Sequence, residues 1–355
     1  MSRVHFLKNP PTFLSYSAVG GYLEGKGPLG SYFDITDTDD SFGMETYEGA
    51  EGEMGRLAVN TALAKVGLSH TDINLCIAGD LQNQCVASSA GLASFGIPFL
   101  GVYGACSTCT ESLLIGASMT DCGAAKTLLT LTTSHNSAAE RQFRTPLEYG
   151  ALRSPSAQWT ATAAGSFIIT TDSDLISKKE NGKALIKAFM PGRIIDGSTA
   201  DASNMGAAMC FAAADSIEAF FRESGIPGSQ IDLIVTGDLG RVGSDILKSL
   251  LCDKLPQAAL SHRDCGLLLY DMKNSDVHSG ASGCGTSASV LASYFLPLIE
   301  KGDIGDILFL STGALMSPSS VLQGNNIYGI APLIHIGRRE KPVIHSFSER
   351  GNLDA

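Results

Sequence analysis

Residues 73–81 read INLCIAGDL, and residues 231–239 read IDLIVTGDL. At one offset Ile73 meets Ile231, Leu75 meets Leu233, Gly79 meets Gly237, Asp80 meets Asp238 and Leu81 meets Leu239. Short apolar runs closed by turn residues read as strands covered on both faces. The same offset carries Gly67 onto Gly225, and each glycine ends an amphipathic helical run, Glu53 to Val66 and Ala207 to Ser224. Glycine just past a periodic run is a common helix stop. A helix, its terminator and the strand behind it therefore occur twice.

The echo continues downstream. GACSTCTESLLIGAS (104–118) lies over SGCGTSASVLASYFL (282–296), which sets Cys106 opposite Cys284 and Thr108 opposite Thr286. LLTLTTS (128–134) lies over ILFLSTG (307–313). Each half reads helix, strand, loop, buried helix, strand. This predicts an α/β fold of two pseudo-symmetric halves with buried central helices, Asp80 lying over Asp238. The polar, turn-rich stretch around residues 171–187 places the junction, giving an N-terminal half (1–175) that carries Cys106 and a C-terminal half (176–355).

Composition narrows the function classes. Of 355 residues, 44% are hydrophobic and 17% charged, enough for a large core and too apolar for disorder. The 25 basic against 36 acidic side chains give a net charge of −11, which argues against nucleic acid as a partner. Nine cysteines at scattered spacing read as reduced thiols of a cytoplasmically made protein. MSRVHFLKNP lacks a signal peptide's apolar core, and the apolar stretch from Thr286 to Ile299 is too short to span a bilayer. A soluble chain, peripheral to a membrane at most, is the expectation.

The candidate site residues sit at the ends of the repeated elements. Cys106 opens the first buried helix, where free N–H groups and the macrodipole are expected to lower a thiol pKa and attract anions; a small core residue is the alternative. Cys106 and Cys109 also form a CxxC, so a redox role stays open, but no second ligand pair completes a zinc site. Asp80 and Asp238 close equivalent strands, the end of an α/β sheet where ligands bind, although a turn-capping role suits either one alone; of the two, Asp80 is the stronger candidate. Trp159 reads as a packing anchor. Arg153 reads as a surface loop arginine, with a counter-charge to a carboxylate near the cleft as the alternative.

The stretches PFLGVYGACSTCTESLLIGASM (98–119), IAGDLQNQ (77–84), LEYGALRSPSAQWTATAAG (147–165) and VHSGASGCGTSAS (277–289) together resemble the stage V sporulation protein AD family, within the thiolase-like superfamily. The resemblance spans nearly the whole chain. It implies a thiolase-like fold in which Cys106 is the relic of an acyl-transfer nucleophile. Thiolases carry a histidine shortly before a glycine-rich turn, where this chain has His278 before Ser279 to Gly283; an imidazole satisfied by backbone is the alternative. The condensing branch takes its histidine from the strand end occupied here by Asp238-Leu239, and its asparagine from the position of Gly285. The site is thus broken at two positions, which speaks against enzymatic activity.

The resemblance implies a spore protein that binds dipicolinic acid, free or as its calcium chelate, for uptake or release during sporulation and germination. The expected ligand-binding set is Asp80, Cys106, Asp238, His278, Gly283 and Cys284, with no protein-held metal and no cofactor beyond calcium carried by the ligand. The implied partners are the other stage V sporulation A membrane proteins at the inner spore membrane, with a homodimer formed through the strand near Leu100 to Tyr103. The rival reading is an active thiolase- or ketoacyl-synthase-type acyltransferase using Cys106 as nucleophile and His278 as base.

Overall fold

A computed structural model describes residues 2–143, 153–178, 184–273 and 277–339. In chain order the elements that position the site are β1 (Thr12–Gly20), α1 (Tyr47–Ala64), β2 (Leu75–Gly79), β3 (Phe99–Gly101), α2 (Thr108–Asp121), β4 (Thr127–Ser134) and β5 (Ala163–Thr170). They continue with β6 (Ala184–Met190), α3 (Met205–Ser224), β7 (Leu233–Thr236), α4 (Gly240–Leu251), β8 (His262–Asp264), α5 (Cys284–Val290), β9 (Ile307–Leu310) and β10 (Leu333–Arg338).

The strands form one path in the order β8-β7-β9-β10-β6-β1-β5-β4-β2-β3. Each strand of the first half finds its counterpart five labels on, and pairing directions repeat as well. β3, β2 and β4 run parallel and β5 antiparallel; β8, β7 and β9 run parallel and β10 antiparallel. The two sets meet where β1 and β6 run antiparallel, Thr12 opposite Leu185. The expected junction stretch includes helix Ser173–Lys178, and its residues 179–183 lie outside the described residues, as do residues 147–152 of the quoted motif.

Both faces of the sheet are covered, which is why its strands read as unbroken apolar runs. Leu128, Phe167 and Ile169 face the central cluster with Leu113 and Leu291. Leu129, Leu131 and Ile168 alternate to the opposite face and meet Met54, Ala58 and Val59 of α1. Each fully buried aliphatic side chain contributes roughly 1.5–3 kcal/mol. α1 begins at Tyr47, ahead of the expected Glu53, because the Thr46 hydroxyl caps it by accepting from the Gly49 N–H at 3.1 Å. α3 starts behind an Asn204 cap and ends at Gly225, whose φ of 71° no β-carbon favours.

The central helices α2 and α5 are not amphipathic because protein surrounds them. α2 packs on β4 and β2 and also on β10 of the other half, while α5 packs on β5, β4 and β1. Their small polar residues join across this seam: the Thr110 hydroxyl donates to Ser311 Oγ at 2.8 Å, and Ser311 donates to Ser287 Oγ at 3.0 Å. Cys106 was expected to open the helix, yet α2 begins at Thr108 with Cys106 in the turn before it. After α5 a π turn, Leu291–Phe295, leads into helix Leu296–Lys301, which carries Pro297, a residue without an N–H to donate. Among the described residues no helix is long and apolar enough to cross a membrane.

The approach of α5 to β5 depends on one missing side chain. A β-carbon on Gly165 would stand 2.5 Å from the Ala288 carbonyl carbon and 2.6 Å from its oxygen. Gly165→Ala is therefore expected to cost about 1–3 kcal/mol in urea unfolding. Gly228→Ala, whose added carbon would have its nearest neighbour 4.0 Å away, should leave the midpoint in place. Equal midpoints for the two variants would refute the close packing.

Candidate functional site: the Cys106 pocket

Residues that follow the carboxyl ends of β2, β4 and β9 line a small pocket that opens to solvent. Cys106 lies on its lining, with Leu81, Tyr103, Phe143, Met205 and Met316 supplying mostly apolar walls. Glu140, Thr160 and Ser282 add a few polar groups. Ala105, directly before the cysteine, has a φ of 52°. A residue other than glycine costs of order 1–3 kcal/mol in that region, so the tight turn is held by its surroundings.

Asp238 occupies the position that decides the chemistry. Its Oδ2 accepts from the Gly283 N–H at 2.9 Å, and its Oδ1 accepts from the Thr312 hydroxyl at 2.9 Å. The Cys106 thiol lies beside the same carboxylate, near enough for each group to weigh on the other's ionisation. Burial pushes Asp238 up to about 7, the Cys106 hydrogen bond pulls it back, and the neighbouring Asp264 pushes it up further. Burial and the Asp238 charge drive the Cys106 thiol well above its usual value. This corrects the expected depression at a helix N-terminus: the helix starts two residues later, and the partner is an anion rather than a cation.

At Gly285 there is no room for a side chain. A β-carbon there would lie 2.1 Å from the Ala163 carbonyl oxygen and 2.6 Å from Ser134 Oγ. No side chain fits, so nothing at 285 can donate to a substrate. Gly283, at a φ of 95°, turns its N–H onto Asp238. Cys284 donates its thiol hydrogen to the Thr133 carbonyl at 2.9 Å, and burial, with Cys106 next in weight, holds it well above the ordinary thiol range.

The remaining candidates are placed apart from the Cys106 thiol. Asp80 is buried and accepts from the Gln82 N–H (2.9 Å), the Ser88 N–H (2.8 Å) and the Ser88 hydroxyl (2.6 Å). It is absent from the pocket lining, which its neighbour Leu81 reaches instead. Burial raises its pKa. Glu51, raised to about 8 by burial and then by the Asp80 charge, accepts from Gln82 Nε2 and from the Thr133 hydroxyl. His278, at a φ of 47°, lines a separate open groove with Arg241, Met272 and Ser154. Trp159 packs against the core beneath the Arg153 guanidinium, 4.8 Å from its ring centroid. Arg153 also donates to the Gln158 carbonyl and stands 3.9 Å from Glu140.

Residues 2–337 match the sequence family described as stage V sporulation protein AD. The chain belongs to that family. It is 38% identical over 322 residues to the stage V sporulation protein AD of Bacillus subtilis (strain 168), covering 90% of this chain and 93% of the relative. Its role is in sporulation. Among solved structures, a variant of OleA from Xanthomonas campestris superposes with a TM-score of 0.58 at 13% identity, over 94% of this chain and 99% of that one. The 3-oxoacyl-[acyl-carrier-protein] synthase III of Aquifex aeolicus VF5 gives 0.54 at 14% identity, over 91% and 99%. At such identities the likeness concerns the fold, which is thiolase-like.

Thr312, Glu51, Thr160 and Glu140 escaped the sequence reading. The repeat contained a pointer to the first, since it sets Thr133 over Thr312, and both hydroxyls donate to buried carboxylates. As arranged, the family member's thiol is a hydrogen-bond donor and a poor nucleophile. Removing the anion beside it should release it. Iodoacetamide is expected to alkylate Cys106 slowly at about pH 8 and at least tenfold faster in Asp238→Asn, a fall of roughly one pKa unit or 1.4 kcal/mol. Peptide mapping would follow the site, and equal rates would show that Asp238 does not hold the thiol proton.

Proposed function

We propose that this protein binds dipicolinic acid in the Cys106 pocket without turning it over, serving its uptake or release in sporulation and germination. The observation that carries this reading is a pocket left open while its chemistry is closed. Cys106 is tied to an anion, and position 285 has no room for a side chain. Open, mostly apolar walls with few polar groups suit a small planar ring. Thr160 and Ser282 supply the hydroxyl and backbone groups that would meet its carboxylates.

Charge favours the calcium chelate over the bare dianion. The described lining contains no lysine, arginine or histidine, and its Glu140 carboxylate stands 3.9 Å from the Arg153 guanidinium behind it. A bare dianion there would lose its water without a cation in return. Calcium seeks several hard oxygens, and a chelate brings most of them itself. Asp80, Gly283 and Cys284 act from behind the lining by holding Leu81, Asp238 and the α5 turn in place. His278 lies too far around the fold to share this pocket's lining and is not part of the proposed contact set.

The protein would act at the inner spore membrane through the other stage V sporulation A membrane proteins. A homodimer is proposed as well. The edge strand β3 pairs on one side with β2, and its Phe99 and Leu100 are exposed. Continuing the sheet into a second copy would bury both.

Calorimetric titration with dipicolinate, with and without calcium, tests the ligand. The chelate should bind more tightly than the free acid. Ala139→Leu, which fills the pocket, should weaken binding roughly tenfold or more, a loss of about 1.4 kcal/mol. Cys106→Ala should weaken it less, and Cys252→Ala, at an exposed thiol, should match the parent protein. No binding, or binding blind to Ala139→Leu, would overturn the reading; repeated turnover of an acyl-coenzyme A would favour the acyltransferase instead. Sedimentation at micromolar concentration should show a dimer, and a monomer alone would refute the pairing through β3.

A further inference from the structure

We propose that binding of a free dicarboxylate in the Cys106 pocket is coupled to protonation of Asp238, so that one proton enters the site with each ligand. The inference rests on the binding function proposed above and concerns how the same site manages charge. Asp238 is buried, absent from the lining, and interacts with Cys106, which is on it; Gly283 and Thr312 fix its carboxylate there. An incoming carboxylate would then face a second anion with one thiol between them, in surroundings of low dielectric. Like charges in such a place raise each other's pKa, and the weaker acid takes the proton.

The groups packed around Asp238 offer no other neutralisation. From the turn before α2 comes the Cys106 thiol, and from the turn into α5 come the Gly283 N–H and the Cys284 thiol. β8 and the turn after it contribute Asp264 and Cys265, whose ionisations Asp238 opposes or is opposed by. The segment after β9 contributes the Thr312 hydroxyl, and Gln158 Nε2 donates to the Asp238 main-chain carbonyl at 2.7 Å. None of these is a cation. Asp264 cannot readily move to compensate, because its oxygens accept from the N–H groups of Leu239 and Gly240 and from the Thr236 hydroxyl.

A proton on Asp238 also changes what the pocket offers. In the ionised state the carboxylate favours a Cys106 hydrogen turned toward it. Once Asp238 is protonated, its own O–H needs an acceptor, and the Thr312 hydroxyl oxygen and the Cys106 sulfur are both in place. The thiol then turns its hydrogen toward the pocket and donates to the ligand carboxylate. The balance is simple: one proton comes from solvent and stays on Asp238, and no bond to carbon or sulfur is made or broken. Because burial pushes Asp238 up to about 7, this exchange falls within an ordinary pH range.

The sign follows from linkage. Ligand binding raises the Asp238 pKa, so affinity is full and flat below the free-state value of about 7 and is lost as pH rises above it. Free dipicolinate, titrated in a calcium-free buffer from about pH 6 to about pH 9, should show an apparent Kd rising by up to tenfold per pH unit above about 7. Calorimetry in two buffers of different ionisation heat should count close to one proton taken up near pH 8. Asp238→Asn should abolish both the slope and the uptake, which separates Asp238 from Glu24, Glu51 and Asp264, raised to about 7, 8 and 6. The neutral calcium chelate should bind with no proton uptake in either protein. Binding of the free acid with no pH slope, or the same slope in Asp238→Asn, would overturn the coupling while leaving the ligand reading intact. Failure of acid and chelate alike to bind at any pH would overturn both. If Asp238→Asn does not fold, the two-buffer count on the parent protein still decides.

Discussion

One buried carboxylate ties the centre of this molecule together. Asp238 leaves the end of β7, and its side chain bonds the α5 turn through Gly283, the segment after β9 through Thr312, and the first half through Cys106. An anion out of water and beside another acid is costly unless its oxygens are satisfied. Here the Gly283 N–H and the Thr312 hydroxyl satisfy one oxygen each, with the Cys106 thiol beside them. Losing either donor would leave a buried lone pair without a partner, so the Asp238 side chain, the Gly283 turn and Thr312 are mutually dependent.

The duplication makes this arrangement readable, because the first half shows the same parts differently wired. Asp80 ends the equivalent strand but takes its hydrogen bonds from Gln82 and Ser88, a local cap at the start of helix Val86–Leu92. Thr133, the counterpart of Thr312, gives its hydroxyl to Glu51 on α1 instead. Cys284, the counterpart of Cys106, donates to a main-chain carbonyl. The same ancestral positions thus produce one sealed polar cluster and one that opens onto a pocket. Seam bonds such as Thr110 to Ser311 and Ser311 to Ser287 hold the two arrangements in a fixed relation.

A thiol needs a positive or proton-accepting neighbour to become a nucleophile, and a substrate carbonyl needs fixed donors to become an electrophile. This fold keeps the thiol and the cavity, yet surrounds them with an anion and an absent side chain. The pressure on Cys106 comes first from burial and then from Asp238, and both favour the protonated thiol. The outcome is a protonated thiol on the lining of a mostly apolar pocket.

The amino-acid sequence determined the architecture through purely local signals. Two GDL strand ends, two helix-stopping glycines and two buried cysteine-led segments announced paired halves, because burial on both faces erases alternation and terminators recur wherever the chain must turn. It also revealed that Gly285 could not serve as an amide donor. What it misjudged was which aspartate met the thiol, since Asp80 read as the stronger candidate, and in which direction that thiol would shift. The two halves supply Cys106 and Asp238 from positions far apart in the chain, and the close approach of α5 to β5 at Gly165 sets how the halves sit together. Asp80 found local donors within eight residues and was sealed by them. His278 was carried to another groove by the same turn that delivers Gly283 to Asp238. Pattern along a chain encodes what each segment buries, whereas the charge state of a buried group is set by neighbours that only packing brings near.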